Sequence, residues 1–259
     1  MSAERTFSVE DPERLRGFFR YFGSKVGAAH KYPRPEHAHV IEPFAGAAGY
    51  ATMHYRHKVT LVEHSPVVAG VWRYLIAVTP AELLSLPDVA GRVEDLPAWV
   101  PQEARWLIGY WCGFPRVDPA PHAFPGETRQ KLAQEHGAKV SADIWSRRTR
   151  FRLATQLKYI RHWKVVEGDY TDAPDIAATW FIDPPYQGVD VIYSGGSHGA
   201  MDFAALGDWC RSRRGRVIVC EQAGADWLPF RASHTQMGSQ RGAAQSKSRE
   251  VIWDSKRDR

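Results

Sequence analysis

Residues 179–187 read TWFIDPPYQ. An apolar run, Trp180-Phe181-Ile182, ends in an acid, two prolines and an aromatic ring. Proline lacks the N–H that a ladder needs, so Pro184 and Pro185 cannot continue a central strand. A buried strand therefore stops here and presents Asp183 and Tyr186 just past its carboxyl end. In an open α/β sheet, ligands bind outside the carboxyl ends of the strands.

Working outward, strand and helix alternate. HVIEPF (39–44) reads as a strand, the small residues AGAAG as a turn, and 48–57 as a helix. KVTLVEH (58–64) is a second strand and 66–77 a second helix. KVVEGD (164–169) and TWFIDPP are further strands. MDFAALGDWCRSR (201–213) is helical, RVIVCEQ (216–222) is a fifth strand, and HTQMGS and EVIWD form a final pair. This alternation predicts an α/β fold with a doubly wound, mostly parallel sheet.

The spacing is uneven. A parallel crossover needs only a dozen or so residues, and far more separate Glu63 from Lys164. The expected organisation is a core of residues 1–78 and 164–259 with an inserted, mainly helical domain at 79–163. The insertion holds WLIGYW, the proline-rich DPAPHAFPGE and the basic helix SRRTRFRLATQLKYIRHW. In that helix Phe151, Leu153, Ala154, Leu157 and Ile160 recur near helical spacing and predict an apolar face. Arg147, Arg148, Arg150 and Arg152 open it. Together with Arg116 and the late-loop residues Arg241, Lys247 and Arg249, they are candidates for neutralising phosphates.

A chain of 259 residues with 44% hydrophobic content supports a full core, and its net charge of +5 fits a nucleic-acid partner. The three cysteines lack metal-site spacing, the 11 histidines show no ligand pattern, and an odd, scattered cysteine count argues against a disulfide scaffold. No metal is expected. The N-terminus is too charged for a signal peptide and no window approaches a membrane span, so the expected location is the cytoplasm, without a membrane.

EPFAGAAGYA places a tight turn between a strand and a helix, where the backbone can approach a ligand closely. Glu63, about 20 residues later, suits the hydroxyls of a ribose. Neither a phosphate loop of the G-x-x-x-x-G-K-[ST] type nor G-x-G-x-x-G is present. An adenosine cofactor without phosphate fits this better than ATP or NAD, and S-adenosyl-L-methionine is one. Its carboxylate could be met by Lys25.

With RYFGSK (20–25), EPFAGAAG (42–49), LVEHS (61–65), VVEGDY (165–170) and DPPY (183–186) in this order, the chain resembles the Dam-like DNA adenine-N6 methyltransferases. YWCGFPR and SKSREVIWD are weaker echoes. The resemblance spans most of the chain and matches the insertion only loosely. It implies a Rossmann-like S-adenosylmethionine-dependent methyltransferase core with an inserted target-recognition domain. It implies that Tyr21 and Lys25 hold the methionine end of the cofactor, and that Glu42, Phe44, Ala45 and Gly46 form its pocket. Glu63 takes the ribose, and Asp169 and Tyr170 lie at its adenine. Asp183 and the Pro184 carbonyl accept hydrogen bonds from the target amine, Pro185 stiffens the turn, and Tyr186 stacks on the flipped base. Double-stranded DNA is the implied partner, with a cognate restriction enzyme as the natural companion. The chain departs from the family at Ala48, where a second glycine is frequent, at Glu63, often Asp, and at Tyr21, often Trp.

Rival readings are methylation of another planar amine and a catalytically inactive DNA-binding module. The amine could be cytosine N4, adenine in RNA or a protein glutamine. Cytosine-N4 enzymes usually carry Ser, and glutamine enzymes Asn, where Asp183 stands here.

Overall fold

The computed structural model describes residues 12–89, 91–112, 115–121, 145–188, 201–236 and 249–258. In chain order these form β1 (His39–Glu42), α1 (Gly49–Met53), β2 (Lys58–Glu63), α2 (Pro66–Ala77), α3 (Pro80–Ser85) and α4 (Gln102–Trp111). Then come α5 (Arg147–Gln156), β3 (Lys164–Glu167), β4 (Ala178–Ile182), α6 (Phe203–Ser212), β5 (Gly215–Gln222), β6 (Arg231–Gln236) and β7 (Arg249–Asp254). The starts are legible chemically. Ser65 caps α2 ahead of Pro66, Thr79 and Glu82 form a capping box on α3, and Ser146 and Asp202 cap α5 and α6.

The strands form one sheet in the order β3-β2-β1-β4-β5-β7-β6. β3 to β5 pair in parallel, and β7 runs antiparallel between β5 and β6. The chain winds outward from β1 to β3, then returns to lay β4 on the other side of β1. That reversal makes a crevice at the carboxyl ends of β1 and β4. The turn after β1 and the DPPY run after β4 both open onto it.

β4 is buried along its whole length, as a central parallel strand covered on both faces must be. Its side chains alternate between two layers. Phe181 packs with Val40, Leu61 and Trp72 in one core, while Trp180 and Ile182 pack with Ile41, Val219, Leu206 and Trp227 in the other. The first core also takes in Leu83, Leu107, Ile108, Tyr110, Leu153 and Leu157 from the inserted segment. The inserted segment therefore shares the sheet's own apolar layer, with α4 packed on α2 and α2 on β2 and β3.

Three details differ from the sequence expectation. α1 ends at Met53 rather than at His57, because the chain must turn through residues 54–57 to enter β2 at Lys58. Phe151 lies off the apolar face of α5 and is 62% exposed. Leu153, Ala154, Leu157 and Ile160 are buried as expected, and Thr149, Arg150 and Gln156 join them on that side of the helix, away from Phe151. Arg150 is thus buried, its guanidinium 2.6 Å from Asp88, and Arg152 donates to the Gly17 carbonyl at 2.9 Å while lying over Trp111. Both guanidiniums are thus engaged within the protein. Arg147, Arg148 and Arg116 are exposed. Arg241 and Lys247 lie outside the described residues.

Because the insertion shares the sheet's core, Leu107→Ala is expected to lower stability by about 3 kcal/mol. Urea unfolding followed by fluorescence and by circular dichroism should still show one coincident transition. A separate early transition of the insertion would contradict the shared core.

Candidate active site at the carboxyl ends of the strands

The turn after β1 is held by carboxylates from neighbouring strands. Ala48 occupies the left-handed region at φ 47° and offers α1 no side-chain cap. Glu42, at the end of β1, accepts the Ala51 N–H instead. Glu63, at the end of β2, accepts from Gly46 N–H at 2.8 Å and from Ser65 N–H at 2.9 Å. The residue expected to take a ribose therefore also closes the turn. Trp72 Nε1 donates to the Gly46 carbonyl at 2.8 Å. Burial pushes the Glu42 carboxyl up to about 8 and raises Glu63, against the backbone N–H groups that favour their charged forms.

Two glycines permit close approach. A Cβ on Gly49 would stand 2.5 Å from Val26 N and 2.6 Å from the Lys25 carbonyl carbon. At Gly46, with φ 45°, it would stand 3.1 Å from the Tyr21 ring. The RYFGSK segment is thereby pressed onto the turn. Tyr21 also forms a parallel bridge with Arg116, and Phe22 N–H donates to the Arg116 carbonyl at 3.3 Å. This carries Arg116 to the edge of the site.

Lys25 is 7% exposed. Its ammonium lies 2.7 and 2.6 Å from the two oxygens of Asp183 and 3.1 Å from the Gly23 carbonyl. Burial depresses its basicity, but the charges of Asp183 and its neighbours, Glu250 among them, together with the Asp183 hydrogen bond outweigh that and leave it raised. The two residues given separate roles by resemblance are thus direct partners. Tyr186 completes the group. Its hydroxyl lies 3.0 Å from Asp183 Oδ1, and the Lys25 ammonium sits 5.2 Å from its ring centroid. One face of the ring expected to stack on a base is already against a cation.

The chain beyond Tyr186 is tied to β5. Glu221 accepts from Gln187 N–H at 3.1 Å and from Trp227 Nε1 at 3.0 Å, and Gln222 donates to the Gln187 carbonyl. Across the crevice, Phe44 and Tyr170 stack at 5.5 Å, with Trp209 edge-on to Tyr170. Asp169 is exposed and caps the turn through Thr171 N–H at 3.2 Å. Glu42 and Glu63 are the last residues of β1 and β2; Phe44, Ala45, Gly46, Asp169, Tyr170 and Asp183 follow the ends of β1, β3 and β4; Tyr21 and Lys25 lie in the segment before β1. Sequence reasoning missed Tyr32, Glu221 and Glu250. Their only signal was a polar residue in or beside an apolar run.

No group of three or more His, Cys, Asp or Glu residues that could hold a metal exists among the described residues, and no described helix is long and apolar enough to cross a membrane.

The strand order, with β7 reversed between β5 and β6, defines a Rossmann-like methyltransferase fold carrying a mainly helical insertion. No protein-family model matches the chain, and no curated protein matches it. Among solved structures it is similar to yhhF from Escherichia coli, named as a methyltransferase, at 9% identity and a TM-score of 0.33, over 83% of this chain and 74% of that one. It is also similar to the rRNA methyltransferase aviRa from Streptomyces viridochromogenes, at 12% identity and a TM-score of 0.37, over 88% of this chain and 84% of that one.

Two outcomes follow. Ala48→Gly removes a left-handed strain of about 1–2 kcal/mol against a glycine entropy cost of about 0.5–1 kcal/mol. It should stabilise the protein by about 0.5–1 kcal/mol in urea titration. The folded-state value of Glu42 lies above its unfolded value near 4.5, so the fold binds the extra proton. Its contribution is complete below pH 4.5 and is lost as pH rises toward 8. Glu42→Gln should make the decline of stability across that window shallower by about 1.4 kcal/mol per pH unit.

Proposed function

We propose that the chain is an S-adenosyl-L-methionine-dependent DNA methyltransferase acting on the N6 amine of adenine in double-stranded DNA. The observation that carries this reading is Asp183-Pro184-Pro185-Tyr186 fixed at the carboxyl end of β4, beside the switch point and paired with Lys25.

The residues fit the cofactor. Gly46 and Gly49 let the RYFGSK segment lie on the β1 turn, which brings Lys25 to the crevice as a buried cation for a carboxylate. Glu63, Phe44, Asp169 and Tyr170 supply acceptors and rings for ribose and adenine. When bound, S-adenosylmethionine supplies a methyl on a sulfonium whose carbon–sulfur electron pair stays on sulfur. The amine lone pair, delocalised into the base, is a poor nucleophile. Asp183 and the Pro184 carbonyl accept its two N–H groups, which favours pyramidal nitrogen and stabilises the positive charge that develops. The prolines hold those acceptors in place, which is preorganisation. As the new carbon–nitrogen bond forms, the nitrogen becomes cationic and acidic, and Asp183 takes its proton. Asp183 needs no strong basicity for this.

Tyr186 offers its ring to a base taken out of the stack. The exposed Arg116, Arg147 and Arg148 supply charge for phosphates, with Arg241 and Lys247 further along the sequence. The same chemistry would serve another planar amine. The aspartate, rather than Ser or Asn, favours adenine through the resemblance described above. A cognate restriction enzyme belongs to the same reading.

Expression in cells lacking adenine methylation, followed by sequencing with detection of modified bases, tests it. The expected result is N6-methyladenine in one short motif, absent with Asp183→Ala. Folded protein that binds S-adenosylmethionine but leaves DNA unmodified would overturn it.

A further inference from the structure

Glu250, the second residue of β7, lies opposite Gln222 at the carboxyl end of β5 and is 1% exposed. Its Oε1 accepts from the Tyr32 hydroxyl at 2.6 Å and lies 3.5 Å from the Tyr186 hydroxyl. No well-formed hydrogen bond reaches its Oε2 among the described residues, where the Cys220 thiol is only a weak donor. A poorly satisfied buried oxygen is costly, so this carboxyl is not explained by packing alone. Burial raises its carboxyl, against the Lys25 charge and the Tyr32 hydrogen bond. Lys25 thus faces two carboxylates, Asp183 and Glu250, joined by one phenol.

A phenol has a single proton to give. The Tyr186 hydroxyl lies 3.0 Å from Asp183 Oδ1 and 3.5 Å from Glu250 Oε1. While it donates to Asp183 it competes with an incoming amine for the same oxygen. Glu250 Oε1 keeps a second lone pair beside the Tyr32 bond, so it provides another acceptor.

We propose that Glu250 is a positioning residue of the site: it receives the Tyr186 hydroxyl when a substrate amine donates to Asp183, and so frees for the amine the lone pair of Asp183 Oδ1 that the phenol holds, beside the one that Lys25 engages. This rests on the reading of Asp183 as the amine's acceptor. Glu250 itself touches neither the amine nor the methyl donor.

The test compares Glu250→Gln, which keeps an oxygen acceptor, with Glu250→Leu, which removes it. Single-turnover methyl transfer is measured on genomic DNA from methylation-free cells, beside the Kd for S-adenosyl-L-homocysteine and thermal stability. Loss of one hydrogen-bond acceptor should slow transfer by about tenfold in Glu250→Leu. The affinity for S-adenosyl-L-homocysteine should not fall, and Glu250→Gln, which also keeps an acceptor for the buried Tyr32 hydroxyl, should recover most of the rate. Equal rates in all three proteins would overturn the proposal. So would parallel losses of rate, affinity and stability in both variants, which mark mere packing.

If the wild type transfers no methyl to DNA, the underlying function has failed instead. Glu250 is then judged by NMR of protein labelled at tyrosine Cζ, with Tyr32→Phe and Tyr186→Phe for assignment. Glu250→Leu should move both resonances and Glu250→Gln should leave them near their wild-type positions. A Tyr186 resonance indifferent to Glu250→Leu would overturn the proposal.

Discussion

A single buried ion pair, Lys25 with Asp183, closes the functional end of this molecule. One partner precedes β1 in the chain and the other follows β4, so the pair forms only when the sheet has assembled and the RYFGSK segment has docked on the turn. Removing one partner of a buried pair leaves an uncompensated charge and costs several kcal/mol. The docking is set by Gly49, whose missing Cβ lets the backbone of Lys25 and Val26 lie against α1. The pair also neutralises the carboxylate on which the proposed chemistry turns. A ligand whose own carboxylate engages Lys25 would return that charge to Asp183, which couples the cofactor half of the crevice to the acceptor half.

Around the pair, carboxylates at strand ends do structural and chemical work together. Glu42 and Glu63 bind backbone N–H groups of the β1 turn. Glu221 anchors the chain after Tyr186, and Glu250 shares the two tyrosine hydroxyls. All four carboxyls are raised by burial. Each binds its proton more tightly folded than unfolded, so its own contribution to stability is fullest on the acid side and declines as pH rises.

Much of the fold was legible in local chemistry. Continuous apolar runs marked β2 and β4, Ser65-Pro66 and Thr79-Pro80 marked helix starts, and Pro184-Pro185 marked the end of β4. Helix α2 runs over the expected residues 66–77. The phase of α5 was less legible. Leucine and alanine spacing placed its apolar face, but Phe151 was counted on that face although it points outward, and Arg150 was counted outside although Asp88 draws it in. Periodicity weighs residue types and cannot see a partner 62 positions away.

The sequence alone determined the alternation of strands and helices, the position of the β1 turn and the identity of the group displayed after β4. Those follow from rules acting over a few residues: ladder hydrogen bonds, the φ of proline, helix caps and the two-residue period of strands. Only the tertiary structure decided that Lys25 meets Asp183, that Glu63 closes a turn, and that Glu250 reaches Tyr186. Each is a contact between charged or polar groups far apart in the chain, and its formation depends on which strand ends the sheet order brings together.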